Sequence, residues 1–344
     1  MKKTIIALFA VIAFASCQNK QQNGDSKQAT GTKAQIKIDG SSTVYPISEA
    51  VAEDFKKAND SVDITVGLSG TGGGFKKFGR GETDISDASR PITASEDSIC
   101  KAAGIDYIEL PIAYDGLAII VNKDNKWLDK ITVKELKMIW GPDAQDKIKK
   151  WNQVNPKWPN EEIHLFGPGT ASGTFDYFTE AINGKAKSIR GDYTASANPN
   201  VLVEGIASDK NALGFFGLAY YESNKEKLKV VAVDDEKDED GKGAILPSQE
   251  TVKNGTYQPL SRPLFVYIAK KAAARPEVKS FVDFYLANAG KLSTEVGYIA
   301  LPDEVYAMVK SRYSAGTTGS ILAGKDAVGV KIEDLLKTEQ AAVK

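Results

Sequence analysis

The sequence is poor in the residues that build covalent or metal frameworks. Its 344 residues include two cysteines, Cys17 and Cys100, and one histidine, His164. Two cysteines allow at most one disulfide, and no His/Cys cluster has zinc-ligand spacing. The 44 Lys+Arg and 45 Asp+Glu leave a net charge of −1, so no basic field is present to hold nucleic acid. We expect no metal, no cofactor, no nucleic-acid partner, and anion sites that are only local.

The N-terminus has the composition of a targeting segment. A basic start precedes an apolar run, residues 4–15, that is too short to span a bilayer, which is typical of a signal peptide. The following Ala-Ser-Cys resembles a bacterial lipobox, although Phe14 stands where an aliphatic residue is usual. We predict that 1–17 is a lipoprotein signal peptide with Cys17 as the lipidation site, the alternative being plain secretion with a free Cys17. The polar segment 18–33 is predicted to be a flexible tether.

These features predict a protein held outside the cytoplasm, in the periplasm or at the cell surface, and anchored in the membrane by its lipid. If Cys17 carries that lipid, Cys100 has no partner for a disulfide. We therefore expect Cys100 to be a small buried apolar residue.

The remaining chain alternates short apolar runs with amphipathic stretches. Strand-like runs precede three loops rich in small residues, at 40–43, 69–74 and 89–91, and helical spacing follows the first two. A fourth loop, Gly167 to Thr174, separates an extended run from a helical run that begins at Phe175. This order is typical of a parallel α/β sheet, whose ligands bind beyond the carboxyl ends of the strands.

Other segments predict the rest of the framework. Residues 105–111 and 116–122 are predicted to be two separate strands. Residues 151–160, with tryptophans and prolines, are predicted to form a surface connection. Amphipathic spacing predicts helices over 278–287 and 303–312.

The helix start at Ser172-Gly173-Thr174 is a candidate anion site. The first amides of a helix have no intrahelical partner and lie at the positive end of its dipole. Taken by itself, the motif is more typical of an ordinary helix cap than of an anion site. The loops 41–43, 69–72 and 89–90 add further hydroxyls and one arginine, Arg90, which can bind an oxyanion in a bidentate manner. Because a buried dianion needs nearly every oxygen bonded, the four loops together favour an anion site.

Catalytic motifs are missing from the same loops. Neither Ser69 nor Ser172 lies in a Gly-x-Ser-x-Gly nucleophile elbow. The glycine run 70–74 continues into Phe75-Lys76-Lys77 and so is not a P-loop. A catalytic triad would have to use His164, which is better interpreted as a strand residue. We expect no enzyme activity.

Five motifs together resemble the phosphate-binding proteins that are the substrate-binding components of bacterial ABC-type phosphate uptake transporters. They are Asp39–Thr43, Ser69–Gly74, Asp84–Pro91, Gly169–Tyr177 and Leu301–Tyr306, within a match from Ile36 to about Arg312. The resemblance implies an α/β, two-lobed periplasmic-binding-protein-like fold of type II, with the ligand cleft between the lobes. It also implies high-affinity binding of inorganic phosphate, closure of the cleft, delivery to the permease subunits, and a monomer.

Carrying the family motif over residue by residue implies a set of phosphate donors. In relatives an arginine stands four residues before the serine of Ser-Gly-Thr, whereas this chain has Pro168 there. We predict that Arg90, from the other lobe, replaces that arginine. The predicted ligand-binding residues are Ser42, Thr43, Ser69, Thr71, Ser89, Arg90, Ser172, Gly173 and Thr174.

Many relatives also use an aspartate that accepts the proton of monohydrogen phosphate. Here Asp87 is the first candidate and Asp115 the second, with a surface or loop-capping role as the alternative for each. Because a carboxylate acceptor would reject fully ionised sulfate, this residue decides between phosphate and another oxyanion such as sulfate or molybdate. A serine hydrolase acting on phosphate esters is the remaining alternative.

The expected lobes follow from two predicted crossovers, near 111–114 and 258–263. Lobe I is predicted to contain 34–112 plus 262–344, and lobe II to contain 113–261. Closure about these crossovers would give a permease a ligand-dependent shape to bind.

Overall fold

The structure, a computed structural model, describes residues 33–170, 172–196, 198–238, 241–322 and 331–342. The predicted signal peptide, its lipidation site Cys17 and the tether up to residue 32 lie outside the described residues. Within the described ranges, no helix is both long enough and apolar enough to cross a membrane.

One mixed sheet organises the described chain. Along the sheet the strands follow the order β2-β1-β3-β10-β4-β8-β6-β7, while β9 pairs with β4 and β5. Strand β1 is parallel to β2 and β3, and β6 is parallel to β7 and β8, but β10 is antiparallel to both β3 and β4. The strands are β1 Ala34–Gly40, β2 Val62–Gly67, β3 Ile85–Ala88, β4 Tyr107–Asn122, β5 Lys130–Thr132, β6 His164–Pro168, β7 Thr194–Ser196, β8 Ala212–Gly217, β9 Leu228–Asp234 and β10 Ser261–Ala269.

Helices connect these strands and cover the sheet. The predicted helices over 278–287 and 303–312 are present and extend further, as α11 and α12. The helices are α1 Tyr45–Ala58, α2 Thr71–Phe78, α3 Ala94–Ala102, α4 Val133–Trp140, α5 Trp151–Val154, α6 Gly173–Asn183, α7 Pro199–Ser208, α8 Leu218–Glu222, α9 Gln249–Lys253, α10 Lys270–Ala273, α11 Pro276–Glu295, α12 Asp303–Ala315 and α13 Ile332–Ala342, with a 3-10 turn at Pro142–Ala144.

Helix α1 illustrates how the apolar pattern produces the packing. Ile47, Val51 and Phe55 recur every four residues and are all buried. Phe55 meets Phe281 of α11 edge to face, with ring centroids 5.4 Å apart. An apolar stripe at this spacing faces the core, so α1 and α11 pack together under one side of the sheet. Cys100 is fully buried and free, as predicted.

The two strands predicted at 105–111 and 116–122 are one strand, and the prediction of two was wrong. Strand β4 is 16 residues long and buried throughout. Its first half pairs with β10 and its second half with β8 and β9. Pro111 lies beside a register shift, since Leu264 pairs with Ala113 and Phe265 with Pro111. Proline is tolerated inside a sheet at such a bulge, so the strand continues through it.

The prediction of a surface connection at 151–160 was wrong for Trp151. This side chain is fully buried and begins the short helix α5. Its ring lies 6.1 Å from that of Trp127 and 5.7 Å from that of Trp158, both edge to face. The prolines in this segment indicated a surface connection, but the packing of the three tryptophans buries a large apolar surface and so places Trp151 in the core.

Candidate anion-binding site

The site lies where loops from the two ends of the sheet meet. The loop after β1 contributes Ser42 and Thr43, and the loop after β6 leads into the start of α6. At Gly173, a Cβ atom would lie 1.9 Å from Thr43 Oγ1 and 2.8 Å from Ser42 Oγ. Only glycine permits this approach, so the two loops are in direct contact.

The start of α6 has the properties of an anion site rather than of a capped helix. Ser172 is the N-cap residue, but its side chain makes no capping hydrogen bond. Val44, the N-cap residue of α1 on the other side of the contact, has no polar side chain, but the Ser41 hydroxyl accepts from the Thr43 and Val44 amides at 3.1 and 3.4 Å. The start of α6 therefore presents its positive end here without a side-chain cap, whereas the Ser41 hydroxyl bonds amides at the start of α1.

A pocket of about 300 Å³ opens at this contact. It includes five of the nine predicted ligand-binding residues, while Ser69, Thr71, Ser89 and Arg90 are not among its lining residues. The lining residues are Ser42, Thr43, Tyr45, Leu68, Gly169, Ser172, Gly173, Thr174 and Tyr298.

The loops after β2 and β3 form a second group of hydroxyls at the same edge of the sheet. Thr71 Oγ1 lies 3.1 Å from Ser89 Oγ and accepts a hydrogen bond from the Ser89 amide. Ser69 donates from both its amide and its hydroxyl to Asp39, which also pairs with Lys77 at 2.6 Å. These hydroxyls are ordered by partners within the chain.

Arg90 is engaged by a carboxylate. Its two terminal nitrogens each donate to one oxygen of Glu96 at 2.8 Å, and its guanidinium carbon lies 5.7 Å from the ring centroid of Phe75. This bidentate pair takes up much of the donor capacity of Arg90. The role of Arg90 as a ligand donor therefore stays a prediction. In that role, Glu96 would either orient the guanidinium or compete with the ligand for it.

The cation that touches the pocket residues is Arg262, which the sequence analysis missed. Its Nη2 donates to Thr43 Oγ1 at 3.2 Å and to the Gly173 carbonyl at 3.2 Å. The residue is buried at the start of β10. A sequence signal exists, because Ser-Arg-Pro opens an apolar aromatic run and a charge in such a strand is buried only when it is paired.

The two candidate aspartates lie in different surroundings. Asp115 Oδ2 accepts a hydrogen bond from Arg262 Nη2 at 3.4 Å; burial raises the pKa of Asp115, and Arg262 opposes that rise. Asp87 Oδ1 instead accepts from Ser48 Oγ at 3.0 Å, and burial raises the pKa of Asp87 to about 7. Ser48 Oγ in turn lies 3.1 Å from Tyr285 OH, so the Asp87 carboxyl lies in the core against α1 and α11.

His164 begins β6, as expected for a strand residue, and is half-exposed. It forms a hydrogen bond with Asp209, and its Nε2 lies 3.7 Å from Glu162. Within the described residues its hydrogen bonds include none to a serine, so no triad geometry is seen there.

The fold and the site together define the class of protein. Two α/β halves joined by long central strands, with a polar pocket where loops from both halves meet, are the organisation of two-lobed substrate-binding proteins of type II. The chain belongs to the PBP superfamily, because the family model described as PBP superfamily domain matches residues 25–289.

Named relatives narrow this class and confirm the resemblance stated from the sequence. Protein SphX of Synechococcus elongatus is 51% identical over 313 residues, 91% of each chain. Phosphate-binding protein PstS of Staphylococcus saprophyticus is 42% identical over 84% of this chain and 86% of its own. A crystal structure described as a possible phosphate binding protein from Planctomyces limnophilus has 49% identity and a TM-score of 0.76, covering 83% of this chain and all of that one.

Proposed function

We propose that this protein binds inorganic phosphate with high affinity outside the cytoplasm and delivers it to the permease subunits of an ABC transporter, without catalysis. Relatives named as phosphate-binding proteins support the ligand, and their coverage of the chain supports a shared mode of binding. The observation that carries the proposal is the contact of Gly173 with the Ser42–Thr43 loop beside the buried cation Arg262.

The chemistry of this contact suits a small dianion. Hydroxyls of Ser42, Thr43, Ser172 and Thr174 and the first amides of α6 are neutral donors of suitable length to surround an oxyanion. A dianion without such bonds would be strongly disfavoured in a buried cleft. Arg262 adds one positive charge next to the pocket, and a low local dielectric strengthens its attraction for the anion.

Selection of phosphate over sulfate needs a carboxylate that accepts a proton from the ligand. Asp115 is the better placed of the two candidates, since Arg262 connects it to Thr43 and Gly173. Burial raises the pKa of Asp115, and the neighbouring guanidinium opposes that rise and so helps to keep the ionised form, which is the form that can accept. Sulfate, which carries no proton at neutral pH, would leave that acceptor without a donor.

Isothermal titration calorimetry with phosphate, sulfate and molybdate tests the proposal. We expect tight binding of phosphate and binding at least 100-fold weaker for the other two, a discrimination that an unmatched buried acceptor can supply. Asp115→Asn should reduce the ratio of the phosphate affinity to the sulfate affinity. Asp87→Asn, the matched control, should leave this ratio unchanged. Sulfate or molybdate binding as tightly as phosphate would refute the proposal.

The remaining predictions concern the membrane anchor, the oligomeric state and the lobe boundaries. We propose a lipid on Cys17, a tether over 18–33, a monomeric body, and lobes that change at 112/113 and 261/262, within β4 and at the start of β10. Cys17→Ser should move the protein from the membrane to the soluble fraction of cells, and an unchanged distribution would contradict the lipid anchor.

A further inference from the structure

Arg262 occupies a central place in the sheet. It is the second residue of β10 and lies directly opposite Asp115 of β4 in the antiparallel register. Strands β10 and β4 stand between β3 on one side and β8 on the other. A charged side chain at this position belongs to neither end of the sheet and can reach loops from both.

One nitrogen of Arg262 makes contact with both walls of the pocket. Thr43, whose Oγ1 accepts at 3.2 Å, follows β1, while Gly173, whose carbonyl accepts at 3.2 Å, begins α6 after β6. These loops come from opposite ends of the sheet. When they separate, Nη2 can no longer bond to both.

Other contacts hold the guanidinium in place. Its carbon lies 3.8 Å from the ring centroid of Tyr177, and the Tyr177 hydroxyl donates to the Pro259 carbonyl at 2.6 Å. A desolvated guanidinium stacked on an aromatic face is attracted to it and kept in one plane. Lysine has the charge but a shorter reach and no planar group to stack on Tyr177, so it could not hold its donors in the same position.

Nη2 of Arg262 has more acceptors within reach than protons to donate, so it can exchange one acceptor for another. Nη2 carries two protons, but Thr43 Oγ1, the Gly173 carbonyl and Asp115 Oδ2, at 3.4 Å, all lie within reach. If the walls move apart, Asp115 still accepts from Nη2, and the guanidinium keeps a charged partner. The open arrangement therefore leaves no unpaired buried cation, which would otherwise be very costly.

We propose that Arg262 is a positioning residue that ties the Ser42–Thr43 loop to the start of α6 and so stabilises the closed form of the cleft around its ligand. This inference rests on the proposed function, since it assigns the tie to the phosphate-bound state. The charged Nη2 makes the bonds to both walls, and the stacking of the planar guanidinium on Tyr177 holds it in position.

Arg262→Lys tests the inference, because it keeps the charge and removes the planar guanidinium that is stacked on Tyr177. Phosphate affinity, measured by calorimetry, should fall at least 10-fold, since a charge-assisted bond to each wall is lost or weakened. Small-angle X-ray scattering at saturating phosphate should show less than half of the wild-type decrease in radius of gyration. That second readout does not depend on affinity. Arg275→Lys is the matched control, since Arg275 is partly exposed and pairs with Asp84 and Glu277; it should behave as wild type.

Thr43→Val provides a second variant if Arg262→Lys does not fold. It removes the Oγ1 acceptor on one wall, so compaction at saturating phosphate should again be reduced. Where both variants fold, their effects on compaction should be less than additive in the double variant, because they break the same tie. Full compaction in Arg262→Lys, or in Thr43→Val when Arg262→Lys is unfolded, would overturn the inference. Wild-type protein that binds no phosphate would instead refute the proposed function. It would also refute the assignment of the Arg262 contacts to a phosphate-bound state.

Discussion

Gly173→Ala places a methyl group where the Ser42–Thr43 loop now lies. The added Cβ would be 1.9 Å from Thr43 Oγ1 and 2.8 Å from the Thr43 amide nitrogen, whereas real Cβ contacts are essentially never under 3.0 Å. The loop and the start of α6 must therefore move apart by about 1 Å, because the β-branched Thr43 side chain is stiff and its hydroxyl is held by Arg262.

The size of the effect follows from the bonds that this displacement breaks. The two 3.2 Å bonds from Arg262 Nη2 to Thr43 and Gly173 would both lengthen beyond the range of a hydrogen bond. Each bond to a charged group contributes about 1.5–3 kcal/mol, so the lower value gives about 3 kcal/mol in total. A loss of about 3 kcal/mol weakens binding by ~100-fold.

The same change should not unfold the protein. Gly173 is the first residue of α6 and has no positive φ, so alanine fits its backbone. Alanine also favours a helix over glycine by up to about 1 kcal/mol. Stability without ligand should therefore be unchanged or slightly higher, while affinity falls.

Calorimetry with phosphate and thermal unfolding without it measure the two quantities separately. Gly217→Ala is the matched control, since the nearest atom to a Cβ there is 3.8 Å away and the residue lies outside the pocket. A Gly173→Ala protein that binds phosphate within threefold of wild type would refute the geometry of the site.

Two further predictions concern charged groups near the loops. Arg90→Ala should reduce phosphate affinity at least 10-fold in calorimetry if Arg90 leaves Glu96 to grip the ligand, and an unchanged affinity would assign the cation role to Arg262. Burial raises the pKa of Asp87 from an ordinary 3.8 to about 7, so the folded state keeps a proton that the unfolded chain releases. The contribution of protonated Asp87 to the free energy of unfolding is therefore fully present below about pH 4. It is lost as the pH rises to about 7, a decrease of up to roughly 4 kcal/mol. In urea unfolding, Asp87→Asn should remove this decline and the exposed Asp143→Asn should keep it; equal pH profiles for wild type and Asp87→Asn would contradict the assignment.

The local sequence was sufficient for most elements and for half of the pocket. The stripe of Ile47, Val51 and Phe55 predicts α1 and its buried face because helical spacing acts over a few residues. Ser172-Gly173-Thr174 predicts a helix start for the same reason, but by itself the motif favours a capped start, and only the structure shows that Ser172 makes no capping bond. The alternation of strand and helix patterns then placed these loops at the ends of strands, where ligands of α/β proteins bind.

Tertiary structure alone decided how the two halves of the pocket meet and which cation lies between them. Arg262 reaches Thr43, 219 positions away in the chain, and Gly173, 89 positions away. No periodic pattern connects residues so far apart, because their contact depends on β10 and β4 lying side by side in the middle of the sheet. The same pairing carries β4 through Pro111 as one strand. The sequence by itself predicted the candidate donors and determined the loops that hold them, and only long-range strand pairing, which no local pattern encodes, decided their arrangement around Arg262.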